Sequence, residues 1–304
     1  MTSLDLHIDG IPNLSGKRVI ITGASSGIGF AAAAIFAQKG ATVLNLDINP
    51  PAEPTPDSIE YKQCDISDWA SLKAGFRHAG TVDIAVSNAG ISETADFVAE
   101  SFDCDLDQVT EPQYPVLNVN LRAVFNFTRL ALKHFHSRKY PGSIVITSSA
   151  TAYAPEQSLP VYSASKLAIQ QLIGFIRALR SSIRLEGITI NAVAPAATIT
   201  NLLPAHLAAP IIAAGLPIST AEFVGLALVY SATAMQPGCV ELYGQDDPEL
   251  LSTSSRWHGR TILTLGDAYT ELEGPIAALR PQWFGKRNTE LTRSQQASTD
   301  FRTG

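Results

Sequence analysis

The chain has 304 residues, a length that suits one large α/β domain, and its 22 Lys and Arg against 28 Asp and Glu leave a formal net charge of −6. An acidic balance argues against binding a nucleic-acid backbone. Charged residues make up 16%, against roughly 25% in typical soluble proteins, which points to surface covered by another subunit.

Three cysteines, Cys64, Cys104 and Cys239, form no CxxC pair. Neither a disulfide framework nor a zinc site is expected, and a reducing, cytoplasmic setting is. Residues 1–10 carry Asp5 and Asp9 without Lys or Arg, which does not read as a signal peptide. Residues 187–220 hold no Asp, Glu, Lys or Arg. Pro195, Pro204, Pro210 and Pro217 break that stretch before about 20 apolar residues accumulate, so no membrane span is expected.

In chain order, Arg18–Thr22 is a near-continuous apolar strand and 30–39 a helix ending at Gly40. Thr42–Asp47 and Ile59–Gln63 read as strands, 68–79 as a helix and 82–87 as a fourth strand. A long helix over 115–138, the strand Ser143–Thr147, a second long helix over 161–184 and a strand over 189–193 follow. Thr261–Leu265 is taken as the last strand. Alternating strands and helices define a doubly wound, mostly parallel α/β sheet with helices on both faces. One Rossmann-like domain is expected, with a core over 17–267 and an extension over 268–304. No internal repeat is visible. Pro50, Pro51, Pro54 and Pro56 crowd one exposed loop. The polar last 30 or so residues read as a loosely docked or disordered tail.

The segment Thr22-Gly23-Ala24-Ser25-Ser26-Gly27-Ile28-Gly29 follows a strand and opens a helix. Glycines there permit a tight turn and close approach of a pyrophosphate to helix N-terminal amides. Asp47 ends the next strand, 18 residues after Gly29, and a carboxylate there accepts hydrogen bonds from a ribose diol. It also repels a 2′-phosphate, so NAD is expected rather than NADP. A plain strand–helix turn and a solvated strand end are the alternative readings.

Tyr162-Ser163-Ala164-Ser165-Lys166 places a phenol and an ammonium four residues apart, on one face of a helix. A neighbouring cation lowers a phenol's pKa and suits it to proton exchange with a substrate oxygen.

Taken in order, the glycine turn, Asn88-Ala89-Gly90, Asn120, Ser148-Ser149 and Tyr162/Lys166 give TGxxxGxG, NAG, a helix Asn, a strand-end Ser and YxxxK. The chain resembles a classical short-chain dehydrogenase/reductase over about residues 17–267. It is also similar to fungal members related to NAD-dependent 15-hydroxyprostaglandin dehydrogenase. The resemblance implies that Tyr162 is the general acid/base, that Lys166 lowers its pKa and binds the nicotinamide ribose, and that Ser149 holds the substrate oxygen, with Ser148 as the neighbouring alternative. It implies that Asn120 bends its helix and holds a water linked to Lys166. Gly23, Ser25, Ser26, Gly27, Ile28, Gly29 and Asp47 would bind the dinucleotide. Asp65 and Ile66 would meet the adenine, Asn88, Ala89 and Gly90 would flank the cofactor, and Pro195, Thr198 and Thr200 would contact the nicotinamide side. One departure is Ala196, where the family has glycine; a Cβ there tightens the pocket unless the turn needs no positive φ. Residues 245–256 look like an insertion.

Asp103, Asp105 and Asp107 alternate as in a calcium loop, but Gln108 and Tyr114 stand where that loop needs Gly and Glu, so the reading fails. His134 and His136 read as surface residues, Trp69, Trp257 and Trp283 as packing residues, and no metal is expected. The resemblance implies that residues 196–217 lie over the substrate, and their Ala, Leu, Ile and Pro would then form a lid suited to a lipophilic substrate, or else a face buried on the core or a partner. Glu93 and Asp96 edge the pocket and disfavour anionic substrates.

The expected activity is NAD-dependent interconversion of a secondary alcohol and a ketone on a lipophilic small molecule, with oxidation favoured. The resemblance adds a fungal secondary-metabolite intermediate as substrate. Ketone reduction, a non-redox reaction in the same pocket and cofactor sensing without turnover are the alternatives. The two long helices resemble those that build the family's dimer interface, which implies a homodimer or homotetramer.

Overall fold

The computed structural model describes residues 2–93, 97, 111–169, 183 and 186–300. Asp96, Cys104, the acidic alternation at Asp103, Asp105 and Asp107, and most of the helix expected over 161–184 lie outside the described residues.

The chain begins with a two-residue strand, β1 (Ser3–Leu4), then β2 (Arg18–Thr22), α1 (Gly27–Gln38), β3 (Thr42–Asp47), β4 (Ile59–Gln63), α2 (Trp69–Ala79) and β5 (Ile84–Ser87). A helical turn (Pro115–Leu117) and a wide π turn (Asn118–Arg122) lead into α3 (Ala123–Arg138). Then come β6 (Ser143–Thr147), α4 (160–169 as described), β7 (Thr189–Pro195), α5 (Ala205–Ala213) and α6 (Ala221–Thr233). The chain closes with β8 (Met235–Gln236), β9 (Ser255–Arg256), β10 (Thr261–Leu265), β11 (Ala268–Glu271), α7 (Glu273–Ala278) and α8 (Lys286–Ser298).

Nine strands form one sheet in the order β1-β11-β10-β7-β6-β5-β2-β3-β4. Every neighbouring pair from β10 to β4 is parallel. Alternation along each strand builds a core on both faces. Ile20, Leu44, Leu46, Ile144 and Ile146 pack toward α2 and α3 with Phe76, Phe127 and Phe135. Val19, Ile21, Val43 and Val145 pack toward α1 and α6 with Phe36, Val224 and Leu228. The chain leaves β2 toward β3 and β4 and returns to β5 on the other side of β2. The crevice beyond the carboxyl ends of β2 and β5 is therefore a topological switch point, where such sheets bind ligands.

Several sequence expectations are corrected. β10 is not the last strand: β11 pairs antiparallel with it, and β1 pairs antiparallel with β11. The tail is neither unpatterned nor loose up to Asp300. The Gln245 amide donates to Asp300 at 3.0 Å and its side chain to the Ala297 carbonyl at 3.1 Å, while Arg280 pairs with Glu241 at 2.6 Å. The extension thus docks on the loop region before β10. The helix expected over 115–138 is interrupted by the π turn that contains Asn120. Trp257 is a packing residue, whereas Trp69 and Trp283 are exposed, Trp283 at 62%. His134 is part-buried and accepts the Val82 amide at 3.1 Å; burial lowers its pKa. No helix among the described residues is long and apolar enough to cross a membrane.

Candidate active site

The carboxyl ends of β2, β3, β5, β6 and β7 bring the candidate residues to one edge of the sheet. The turn after β2 is packed against the loop after β5. A Cβ at Gly29 would lie 2.1 Å from the Gly23 carbonyl oxygen and 2.5 Å from Asn88 Nδ2, and Gly23 itself has φ +68° with the Ala89 backbone beneath it. Both positions are closed to any side chain. Gly27 faces the Thr200 methyl group at 3.1 Å as measured to its ideal Cβ, which places Thr200 against the turn.

A set of buried polar groups fixes the turn's shape. Ala24 N–H donates to Asn45 Oδ1 at 3.1 Å, Asn45 Nδ2 to Ser25 Oγ at 2.9 Å, and Ser25 Oγ to the Asn49 carbonyl at 2.6 Å. The Asp47 carboxylate accepts the Ser25 and Asn49 amides, each at 3.1 Å. Sequence reasoning missed Asn45 and Asn49. A fully buried Asn in the apolar strand Thr42–Asp47 is the signal that would have found Asn45. Asp65, beyond the end of β4, is exposed and accepts the Ser67 amide and hydroxyl at 2.8 and 2.7 Å, while Ile66 turns into the core.

One hydrogen-bonded path runs from this turn to the Tyr–Lys pair. Asn88 Nδ2 donates to the Gly23 carbonyl at 3.0 Å, Thr147 Oγ1 donates to Asn88 Oδ1 at 3.0 Å, and Lys166 Nζ donates to the Thr147 carbonyl at 3.0 Å. Thr22 Oγ1 accepts the Asn88 and Ala89 amides at 3.0 and 3.1 Å. Thr22 and Thr147 are thus supporting residues whose roles lie in contacts distant along the chain.

Tyr162 is 9% exposed and Lys166 4%, and the ammonium lies 5.5 Å from the phenol ring centre. Burial pushes the Lys166 pKa down to about 8. The sequence reading has the ammonium lowering the phenol's pKa. In the structure burial dominates and raises it, opposed in part by a hydrogen bond with the Ser149 side chain. Ser149 Oγ also accepts the Thr151 amide and hydroxyl at 3.1 and 3.0 Å. Ser149 is therefore the serine whose side chain favours the ionised phenol, whereas the Ser148 Oγ is buried with no hydrogen-bond partner among the described residues.

Asn120 is fully buried. Its Oδ1 accepts the Ile91 amide at 2.9 Å and its Nδ2 donates to the Ile91 carbonyl at 2.8 Å. The side chain is committed to the loop after Gly90, where an ideal Cβ would stand 3.3 Å from Asn120 Oδ1 and 3.6 Å from Lys166 Nζ. In the same loop Glu93 Oε2 accepts the Tyr162 amide.

Pro195 ends β7, and the Ala196 amide donates to the Thr264 carbonyl at 2.9 Å. Among the described residues Lys139 is the one non-glycine residue with positive φ. The turn at Ala196 therefore needs no glycine. Thr198 is buried, bridges to Ser219 and donates to the Ala196 carbonyl at 3.0 Å.

This edge, with its glycine turn, buried Tyr–Lys pair and Ser149, defines a nicotinamide-dependent oxidoreductase of the doubly wound class. The short chain dehydrogenase family model matches residues 17–209, and the chain belongs to that family. It is 52% identical over 303 residues to the short-chain dehydrogenase/reductase prx4 of Penicillium roqueforti, spanning 99% of this chain and 90% of that one. It is 44% identical over 310 residues to the short-chain dehydrogenase/reductase ATR7 of Stachybotrys chlorohalonatus, spanning 100% and 96%. Among solved structures it is similar to a 3-ketoacyl-(acyl-carrier-protein) reductase from Brucella melitensis complexed with NADH, with TM-score 0.63, 25% identity and coverage of 83% and 98%. It is also similar to a putative NAD(P)-dependent gluconate 5-dehydrogenase from Beutenbergia cavernae with bound NADP, with TM-score 0.62, 29% identity and coverage of 74% and 92%.

Proposed function

We propose that the chain is an NAD-dependent oxidoreductase that interconverts a secondary alcohol and a ketone on a lipophilic small molecule, with oxidation as its working direction. The observation that carries this is the buried Ser149–Tyr162–Lys166 cluster, joined by hydrogen bonds to the glycine turn. The turn fits a dinucleotide, because its glycine positions leave backbone rather than side chain at the start of α1. Gly23, Ser25, Ser26, Gly27, Ile28 and Gly29 would hold the pyrophosphate, and Asp47 a ribose. Asp65, Ile66, Asn88, Ala89, Gly90, Pro195, Thr198 and Thr200 would line the remaining length. NAD is favoured because Asp47, fixed by two amides, would set a carboxylate against a 2′-phosphate. A bound nicotinamide supplies the hydride chemistry.

Tyr162 takes the hydroxyl proton during oxidation and returns it during reduction. Only the phenolate can accept that proton, and burial disfavours it, so the Lys166 ammonium and the Ser149 hydroxyl must stabilise the phenolate that is present before oxidation and regenerated by reduction. Ser149 orients the reacting oxygen, and Asn120 holds the loop that packs beside Lys166. The lid over 196–217 exposes Ile199, Leu202, Leu207, Ile212 and Leu216, which supports a lipophilic substrate. Similarity to proteins of Penicillium and Stachybotrys supports a fungal secondary-metabolite intermediate. The exposed Phe125 on α3 and Leu167 on α4 support a homodimer or homotetramer, in a cytoplasmic setting.

The test is a panel of lipophilic secondary alcohols with NAD and of ketones with NADH, read by reduced-nicotinamide absorbance. Tyr162→Phe should abolish turnover and leave NADH binding unchanged. A fully active Tyr162→Phe enzyme would remove the mechanism.

A further inference from the structure

We propose that Glu93 is a positioning residue for Tyr162, capping the catalytic helix by accepting the amide hydrogen of the reacting tyrosine itself. The inference rests on the oxidoreductase reading of this site.

The argument starts from the helix end. The first amides of any helix have no intrahelical acceptor and need one from outside. Helix α4 begins at Pro160, which has no amide hydrogen to satisfy. Leu159 precedes it and has no side-chain acceptor, so the usual local cap is missing. The Ser163 amide already returns to the Leu159 carbonyl at 2.9 Å. The Tyr162 amide is met instead by Glu93 Oε2, from a loop 69 residues earlier in the chain. A carboxylate accepting an amide is a stronger tether than a neutral pair, and it sits favourably at the positive end of a helix.

The other end of the tether is equally fixed. Two residues before Glu93, both backbone groups of Ile91 are held by Asn120 at 2.9 and 2.8 Å. The start of α4 is thereby referenced through Glu93 and Ile91 to a buried side chain in the π turn ahead of α3. Glu93 Oε1 is closed from solvent and receives no hydrogen bond among the described residues. Among the described residues, the Tyr162 amide is the donor that this part-buried carboxylate accepts. A cap serving folding alone would do as well on any first-turn amide. This one holds the backbone of the residue whose phenol must meet the substrate oxygen at about 3 Å, where a displacement of about 1 Å costs on the order of 100-fold in rate.

The test compares Glu93→Ala and Glu93→Gln in the full-length protein saturated with NADH. Hydrogen exchange resolved at residues 161–166 reads the cap. Steady-state kinetics with the fastest alcohol of the panel read the positioning. Glu93→Ala should speed exchange of the Tyr162 amide and lower kcat roughly 10- to 100-fold, with the KM for NAD unchanged. Glu93→Gln keeps an acceptor and should restore protection and most of kcat. Unchanged exchange or unchanged kcat in Glu93→Ala overturns the proposal. So does a Gln variant as impaired as the Ala variant, or a kcat loss matched by an equal loss of NADH affinity. Absence of turnover in the wild type with every panel compound sinks the oxidoreductase reading instead, and the exchange data then decide the contact alone.

Discussion

Replacing Lys166 with Met tests whether the ammonium is desolvated as the structure describes. The side chain is 4% exposed, and burial lowers its pKa from 10.5 to about 8. A lysine that binds its proton less tightly when folded makes the native state less stable wherever the unfolded chain holds that proton. Below pH 8 both states are protonated and the penalty is roughly 3 kcal/mol in full. It fades as pH rises toward 10.5, so the wild type should gain roughly 2 kcal/mol from this group between pH 8 and pH 10. Met fills similar volume without titrating. It gives up the 3.0 Å bond to the Thr147 carbonyl, a loss of about 1.5–3 kcal/mol that does not vary with pH. Urea melts of both proteins at pH 7.5, 8, 9 and 10 yield the difference in stability at each pH. All other titrating groups cancel in that difference, to first order. The wild type should improve steadily relative to Lys166→Met as pH rises. A flat difference would refute the desolvated ammonium and the Tyr–Lys geometry that requires it.

Two further outcomes bear on the turn. Gly29→Ala sets a methyl group 2.1 Å from the Gly23 carbonyl, so it should cost at least the roughly 1–3 kcal/mol typical of overpacking and abolish NADH binding; a wild-type urea midpoint with normal affinity would contradict the packing described. Asp47→Ala frees two amides and removes the charge, so it should weaken NADH binding roughly tenfold or more and narrow the gap to NADPH in fluorescence titrations. An unchanged NADH/NADPH ratio would remove Asp47 from cofactor selection.

The glycine turn, the Tyr–Lys pair and the parallel strands were legible because each is local. A TGxxxGxG string constrains backbone within eight residues, YxxxK is one helical turn, and doubly buried strands show as unbroken apolar runs. The antiparallel edge escaped because β1 spans two residues and β11 four, too few to show a period. Helix α8 escaped because its sequence, KRNTELTRSQQAS, buries one residue, Thr289, leaving no apolar face to read.

By itself, then, the sequence determined the fold class, the place of the glycine turn and the pairing of Tyr162 with Lys166 on one helix face, since covalent neighbours and strand or helix periodicity carry that information. The tertiary structure decided which serine meets Tyr162, that burial and not the cation dominates the phenol, and that Asn45, Thr147 and Glu93 brace the site. Those properties depend on pairings between residues 13 to 69 positions apart, and no local pattern encodes which buried donor will find which acceptor once the sheet has closed.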